Sequence, residues 1–284
     1  MDNKGKDPEL QELEMRIGRL AELGVSIVHL MGGEPLLRAD LGMVVRCCSS
    51  RGLVVMTTTN ATLLSEQRVH ELGEAGLDII EVSTDGLREA VSRKTLPRQE
   101  KALALLLKYQ PVFGYRIKLN TVLFDETIDE LPQILGFIKD KPISITIGLA
   151  MPGDSHFGTE EGRARLFKAV EYIISQKKKG AKILDPVDYF RSFRDYLAGK
   201  PVWKCEAGKY MIEIDTDGKL LFCSYLLKKI DVDVMDLDGG YYSRLRGVFE
   251  AQLAECNRGC LANCFYDTAY FRRHPIYSLK NLAF

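Results

Sequence analysis

The chain has no net charge: 39 Lys and Arg balance 39 Asp and Glu. That removes the broad electrostatic field that would steer nucleic acid or an anionic membrane, so neither is expected as a partner. No apolar run approaches the length that spans a bilayer. The opening M-D-N-K-G-K-D-P-E-L lacks the apolar core of a signal peptide. A cytoplasmic protein is expected. There is no low-complexity segment, and none of the seven cysteines forms the C-x2-C pair usual in structural zinc knuckles. In a reducing compartment those cysteines read as metal ligands, catalytic thiols or small buried residues, not as a disulfide frame. The run Lys177-Lys178-Lys179 falls at an expected helix end, where it complements the helix dipole or is solvated.

What is present suits a globule with a sizeable core. Of 284 residues, 46% are apolar and 27% charged, enough for one large domain or a medium and a small one. Residues 25–37, V-S-I-V-H-L-M-G-G-E-P-L-L, organise the rest. A β-branched apolar run suits a strand. It stops at Gly32, Gly33, Glu34 and Pro35. The glycines let a ligand approach the main chain, and the proline cannot continue the pairing. One carboxylate, Glu34, is left beside exposed amides, a seat for a cationic amine. The alternative is a tight turn with a surface glutamate.

Helix and strand alternate on either side of this stretch. Helices are expected near residues 9–23, 40–50, 65–76, 98–109, 129–139 and 160–178. Strands are expected at 25–31, 53–59, 77–83, 115–123 and 143–149, the last ending in Met151-Pro152-Gly153. A spacing of about 30 residues per unit is that of βαβ repeats, with parallel strands and right-handed crossovers. The strands read as apolar on both faces, as when helices cover a sheet. Ligands in such folds sit at the C-terminal strand ends. Glu34, Asn60, Ser83, Asp85, Asn120 and Gly148 all fall there.

The alternation then breaks. Asp185-Pro186 opens a short helix carrying Tyr189, Phe190, Phe193 and Leu197, closed by Gly199. These aromatics read as core or interdomain packing. Three segments are expected: an α/β domain over 1–180, a linker helix over 181–200 and a small Cys-rich α+β domain over 201–284. Residues 210–215 and 219–225 flank Asp217-Gly218 as a hairpin. Asp231, Asp233, Asp236 and Asp238 read as a solvated loop, since they lack the order of a calcium loop. A helix is expected near 242–254.

Cys205, Cys223, Cys256, Cys260 and Cys264 lie in the last third. The hairpin returns Cys223 towards Cys205. The three closing cysteines, each four residues after the last, share a helix face or ring a tight loop. Soft thiolates suit an iron–sulfur cluster or zinc, and a four-ligand cluster would leave one thiol spare. Packing as small apolar residues is the remaining alternative. Cys47 and Cys48, adjacent on a helix, read as structural.

These residues resemble the radical S-adenosylmethionine (SAM) superfamily, with a C-terminal part similar to the SPASM/twitch auxiliary-cluster domains. Gly32-Gly33-Glu34-Pro35 resembles the family's GGEP motif. Thr59-Asn60 resembles the next strand end, with Ala61 where glycine is common. Ser83-Thr84-Asp85-Gly86 resembles the Ser-x-Asp-Gly that follows. Asn120 and Ile147-Gly148 match later strand positions. Cys205-x12-Gly218-x4-Cys223 has the SPASM opening spacing, while the closing cysteines keep its character without its full series.

The resemblance implies an incomplete (β/α)6-type partial TIM barrel. It implies a SAM site at Gly32, Gly33, Glu34, Asn60, Ser83, Asp85, Asn120 and Gly148. It also implies an auxiliary [4Fe-4S] cluster on Cys205, Cys223, Cys256, Cys260 and Cys264. Further implications are 5′-deoxyadenosyl radical chemistry, a peptide or small-metabolite substrate, and a reductant such as flavodoxin or ferredoxin. The family's C-x3-C-x2-C loop is not in this sequence, whose first cysteine is Cys47, so no catalytic residue is assigned. Three expectations follow: an N-terminally shortened radical SAM enzyme that does not cleave SAM by itself; a non-catalytic paralogue serving as an iron–sulfur binding or electron-transfer module; and a zinc-stabilised interaction module.

Overall fold

The structure is a computed structural model that describes residues 7–150, 157–223, 228–256 and 260–277. The expected turn Met151-Pro152-Gly153, and Ser224 and Tyr225 at the end of the expected hairpin, lie outside the described residues. Packing divides the chain into two compact units, Ile27–Arg194 and a second made of Met1–Ser26 with Asp195–Phe284.

The first unit holds strands β1 (Ile27–Leu30), β2 (Val54–Thr59), β3 (Ile79–Ser83), β4 (Arg116–Leu123) and β5 (Ile143–Leu149). All pair in parallel, in the order β1-β2-β3-β4-β5. Helices α2 (Leu41–Ser49), α3 (Glu66–Glu74), α4 (Leu96–Phe113) and α5 (Leu131–Ile138) make the crossovers, and α6 (Glu160–Lys178) follows β5. Beyond β5 a parallel bridge pairs Ile145 with Ile183, and Leu184 N–H donates to Ile145 O at 2.9 Å. This α/β architecture is that of a partial (β/α) barrel. In α7 (Val187–Leu197), Tyr189, Phe190 and Phe193 are fully buried and meet edge to face. They are core residues of this unit.

One sheet face is apolar and closed. Ile80, Ile117 and Ile143 form one cross-strand row, and Val82, Leu119 and Ile145 the next. All six are at most 1% exposed. Burial of each such side chain contributes about 1.5–3 kcal/mol.

The other face corrects the expectation of strands apolar on both sides. Thr58, Glu81, Lys118 and Ser144 are successive cross-strand partners. Lys118 Nζ lies 2.6 Å from Glu81, and the Thr58 hydroxyl donates to Glu81 Oε1 at 2.8 Å. His29 Nε2 is 2.6 Å from Thr58 Oγ1. The period-2 alternation of a strand puts these residues on one face. His29, Glu81, Lys118 and Ser144 each sit singly between aliphatic neighbours, so those runs read as apolar, whereas Thr58 lies in the Thr57-Thr58-Thr59 end of β2.

Just before α7, Asp185 Oδ2 accepts the Ile147 N–H at 2.8 Å, anchoring the start of that helix to β5.

The second unit contains α1 (Leu10–Glu22), the antiparallel strands β6 (Glu213–Ile214), β7 (Lys219–Cys223) and β8 (Lys228–Asp233), and helices α8 (Tyr241–Cys256) and α9 (Asn263–Arg273). The Asp-Gly turn forms as expected: Gly218 has φ +83° and its N–H donates to Asp215 O at 2.9 Å. The helix expected near residues 9–23 is α1. It lies against the single turn Val234–Asp236, and Arg16 Nη1 donates to Thr216 O at 2.9 Å.

The acidic stretch is not one solvated loop. Asp231 and Asp233 belong to β8, and Asp231 pairs with Lys219 across the sheet at 3.0 Å. Asp233 caps the following turn, and Asp238 binds Arg244 at 2.6 Å. Cross-strand lysines neutralise the carboxylates, which makes an acidic strand tolerable.

Candidate functional site

The strand tips of the first unit are built around Glu34. Its backbone is extended, and Pro35–Leu37 forms one 3-10 turn behind it. Both carboxylate oxygens are held. Oε1 accepts from the Thr59 hydroxyl at 2.6 Å and from Leu36 N–H at 3.2 Å. Oε2 accepts from Asn60 N–H at 2.8 Å. A carboxylate offers about four acceptor positions, so capacity remains for a further donor. The residue is half-buried. Beside it Gly32 and Gly33 are exposed, and a Cβ built on Gly32 meets nothing within 4 Å. Glu34 is therefore aimed along the strand tips, with open backbone at its side.

Ser83 and Asn120 are direct cross-strand partners, and Asn120 pairs in turn with Thr146. The Thr146 hydroxyl lies 3.2 Å from Asn120 Oδ1. Gly148 is one row further on, opposite Val122. Glu34, Asn60, Ser83 and Asn120 thus share the C-terminal rim of the sheet, one row above the charged row of Thr58, Glu81 and Lys118. In that lower row burial pushes Glu81 up, but the Lys118 ammonium outweighs it, helped by His29 and the Thr58 hydroxyl. The result is a carboxyl held below its usual range. Burial lowers His29 and favours the neutral imidazole.

Asp85 follows β3 and is spoken for by its own loop. Its carboxylate lies 3.3 Å from Ser92 Oγ and 3.9 Å from Lys94 Nζ. Burial raises its pKa, against the pull of Lys94 and Ser92.

Two positioning groups escape a reading for strand-end residues. Arg68 on α3 donates to Leu36 O, Arg38 O and Ala39 O at 2.8–3.3 Å and pairs with Glu71 at 2.6 Å, clamping the loop after Glu34. Gln99 on α4 is 1% exposed and bonds to residues at the ends of β2 and β3. The signal for Gln99 was in the sequence. It is a polar residue in the apolar stripe of Leu96, Leu103 and Leu106.

The late cysteines all lie in the second unit. Cys223 ends β7, Cys256 ends α8, Cys260 lies between helices and Cys264 is in the first turn of α9. The closing cysteines therefore do not share one helix face. Burial pushes the Cys205 thiol up to about 12, and nearby Cys260, Cys223 and Cys256 add to the rise. Cys264 is raised by burial first, with Glu213 and Cys223 adding. Cys260 is raised by burial, with Cys256 adding. Cys260, Cys223 and Cys256 thus act electrostatically on Cys205, and Cys223 acts on Cys264; thiolates are soft donors of the kind that iron–sulfur clusters and zinc take. Among the described residues, no group of three or more His, Cys, Asp or Glu stands in position to hold a metal ion. None of the seven cysteines forms a disulfide. Cys48 is fully buried and Cys47 is 7% exposed.

Residues 1–138 match the family model described as the radical SAM superfamily. A PqqA peptide cyclase of Bradyrhizobium diazoefficiens is 27% identical over 234 residues, covering 78% of this chain and 60% of that protein. A GTP 3′,8-cyclase of Stenotrophomonas maltophilia is 32% identical over 184 residues, covering 62% and 55%. The chain therefore spans less than two thirds of the length of these relatives. Among solved structures, Streptococcus suis SuiB bound to S-adenosylmethionine matches with a TM-score of 0.63 at 17% identity, over 85% of this chain and 60% of that one. The same protein bound to its precursor peptide SuiA matches with a TM-score of 0.63 at 18% identity, over 86% and 62%. At these identities the structural likeness is one of fold. Among the described residues, no helix is long and apolar enough to cross a membrane.

Proposed function

This chain belongs to the radical SAM superfamily, and on that premise we propose that the rim of its parallel sheet holds SAM while its late cysteines hold an auxiliary [4Fe-4S] cluster. Held there beside a reduced catalytic cluster, SAM would supply radical hydrogen-abstraction chemistry. The three thiolates of the family's C-x3-C-x2-C loop are not among these 284 residues. What the chain itself contributes is a place to hold and orient the cofactor.

Glu34 carries this reading. Thr59 and Asn60 fix its carboxylate, which keeps acceptor capacity beside the open backbone of Gly32 and Gly33. That arrangement suits the methionine ammonium of SAM, since a charge-assisted hydrogen bond is roughly twice as strong as a neutral one. Ser83, Asn120 and Gly148 continue along the rim towards a carboxylate, ribose and base. Asp85 joins them only by releasing its own loop contacts.

For the second unit the support is the soft donor set. Cys205, Cys223, Cys256, Cys260 and Cys264 would supply four ligands and one spare thiol. Their ligation requires deprotonation, which burial opposes, so cluster uptake releases protons and strengthens as pH rises. A reducing compartment, the cytoplasm, suits seven thiols without a disulfide. A peptide substrate fits relatives whose names state peptide cyclisation or a bound precursor peptide, and flavodoxin or ferredoxin is the matching class of reductant.

Anaerobic reconstitution with iron and sulfide, followed by SAM titration, tests the reading. The expected result is bound iron with a four-iron absorbance and measurable SAM binding, without 5′-deoxyadenosine from these residues alone. Uptake of zinc but not iron, together with no SAM binding, would refute it.

A further inference from the structure

We propose that Gln99 is a positioning residue that sets the spacing of the β2 and β3 tips and, through them, the aim of Glu34. The proposal deepens the SAM-site reading and rests on it. Gln99 projects from the buried face of α4 and is 1% exposed. Every polar atom of its amide is used. Nε2 donates to Asn60 O at 3.0 Å and to Ser83 O at 2.7 Å. Oε1 accepts from the buried Thr84 hydroxyl at 2.7 Å. One side chain thus joins two adjacent strand ends, and Thr84 N–H extends the link to Asn120 O at 2.8 Å.

The connection to Glu34 runs through one peptide group. The carbonyl of the Asn60–Ala61 peptide accepts from Gln99, and its N–H donates to Thr59 Oγ1 at 2.9 Å. That same hydroxyl donates to Glu34 Oε1 at 2.6 Å. Ala61 has φ +63°, a left-handed conformation that a residue with a Cβ adopts at a cost. The peptide is therefore in an unfavourable backbone setting and is held from both ends. Without Gln99, its carbonyl and that of Ser83 lose their buried donor, and nothing in α4 replaces it. A buried carbonyl left unpaired drives local rearrangement, and the side chain it would disturb is Glu34.

The test compares Gln99→Met and Gln99→Glu with the wild-type full chain, using SAM as the probe in calorimetric titration and amide exchange at residues 60–64 and 83–87. Gln99→Met keeps the volume and removes both donors. It should weaken SAM binding roughly tenfold or more and speed exchange at both tips while distant strands stay protected.

Gln99→Glu should show a pH profile the wild type lacks. Its protonated carboxyl can donate one of the two bonds and its anion neither, so SAM binding relative to wild type should strengthen as pH falls from about 8 to 5. This variant also carries the test if Gln99→Met does not fold. Unchanged binding and exchange in Gln99→Met, or a Gln99→Glu profile parallel to wild type, overturns the positioning role and leaves the SAM site standing. Failure of the wild type to bind SAM overturns the site reading and this inference together.

Discussion

The rim of the parallel sheet and the thiol region of the second unit solve opposite problems. At the rim, charge is placed and compensated as the chain folds. Glu34 has three donors, and Glu81 has Lys118 and Thr58. In the thiol region burial keeps Cys205, Cys260 and Cys264 neutral, and no ligating group is assembled among the described residues. Under the proposed function the first is a preorganised surface, held by secondary structure and buried hydrogen bonds, and the second is a donor set that a cluster would have to deprotonate and gather. On that reading one site would have a geometry that precedes its ligand and the other a geometry that depends on it.

The largest effect that would break this contrast concerns the thiols. Cys223→Ala should lose most of the iron taken up on anaerobic reconstitution, whereas Cys47→Ala, buried in α2, should retain it. Iron analysis of both proteins checks this, and equal loss would mean that the cysteines do not divide into ligands and packing.

Next in size is the charged row under the rim. Lys118→Met leaves Glu81 buried without its cation and should destabilise the fold by about 3–5 kcal/mol at neutral pH. In the wild type Glu81 sits below its usual range, so its stabilising contribution is present above the ordinary carboxylate pKa and lost as pH falls through the folded value. In Lys118→Met the sign reverses, because Glu81 then gains by taking up a proton. The deficit in denaturant melts should shrink as the solution is acidified.

Asp185 offers a third measurement. It is fully buried, accepts one N–H from Ile147, and is pushed up to about 6 by burial. A raised carboxylate favours the fold below its unfolded pKa and loses that advantage as pH rises through the folded one. Wild-type stability should therefore fall by about 3 kcal/mol between pH 4 and pH 7 from this group. Asp185→Asn should flatten that part of the profile.

The smallest effect sharpens the rim itself. Glu34→Gln keeps the size but removes the charge and turns an amide towards the Asn60 N–H. It should weaken SAM binding by about 1.5–3 kcal/mol, roughly 10–150-fold, with little change in melting temperature. Binding as tight as wild type would remove Glu34 from the ammonium seat.

Much of the rim was legible from residue order because it depends on local chemistry. Glycine pairs, a proline stop and the βα period mark where a parallel strand ends, and they put Glu34, Asn60, Ser83 and Asn120 on one edge. The charged row was harder to see. His29, Glu81 and Lys118 each look like an isolated polar residue in an apolar run, Thr58 looks like one of three threonines ending β2, and the four become a set only once the register aligns them. Gln99 stands out as a polar residue in an apolar helix stripe, but it lies 39 residues beyond Asn60 and 16 beyond Ser83, so its partners were set only when α4 docked.

The primary structure alone determined where parallel strands begin and stop, which carboxylate follows the paired glycines, and that soft thiols concentrate late in the chain. Those properties follow from backbone freedom and side-chain chemistry within a few residues. Tertiary structure decided what depends on distant segments meeting. It assigned α1 to the unit of the late cysteines, joined Glu81 to Lys118, and recruited Gln99 to a peptide bent at Ala61. Buried hydrogen bonds and ion pairs take their partners from packing, which no local pattern specifies.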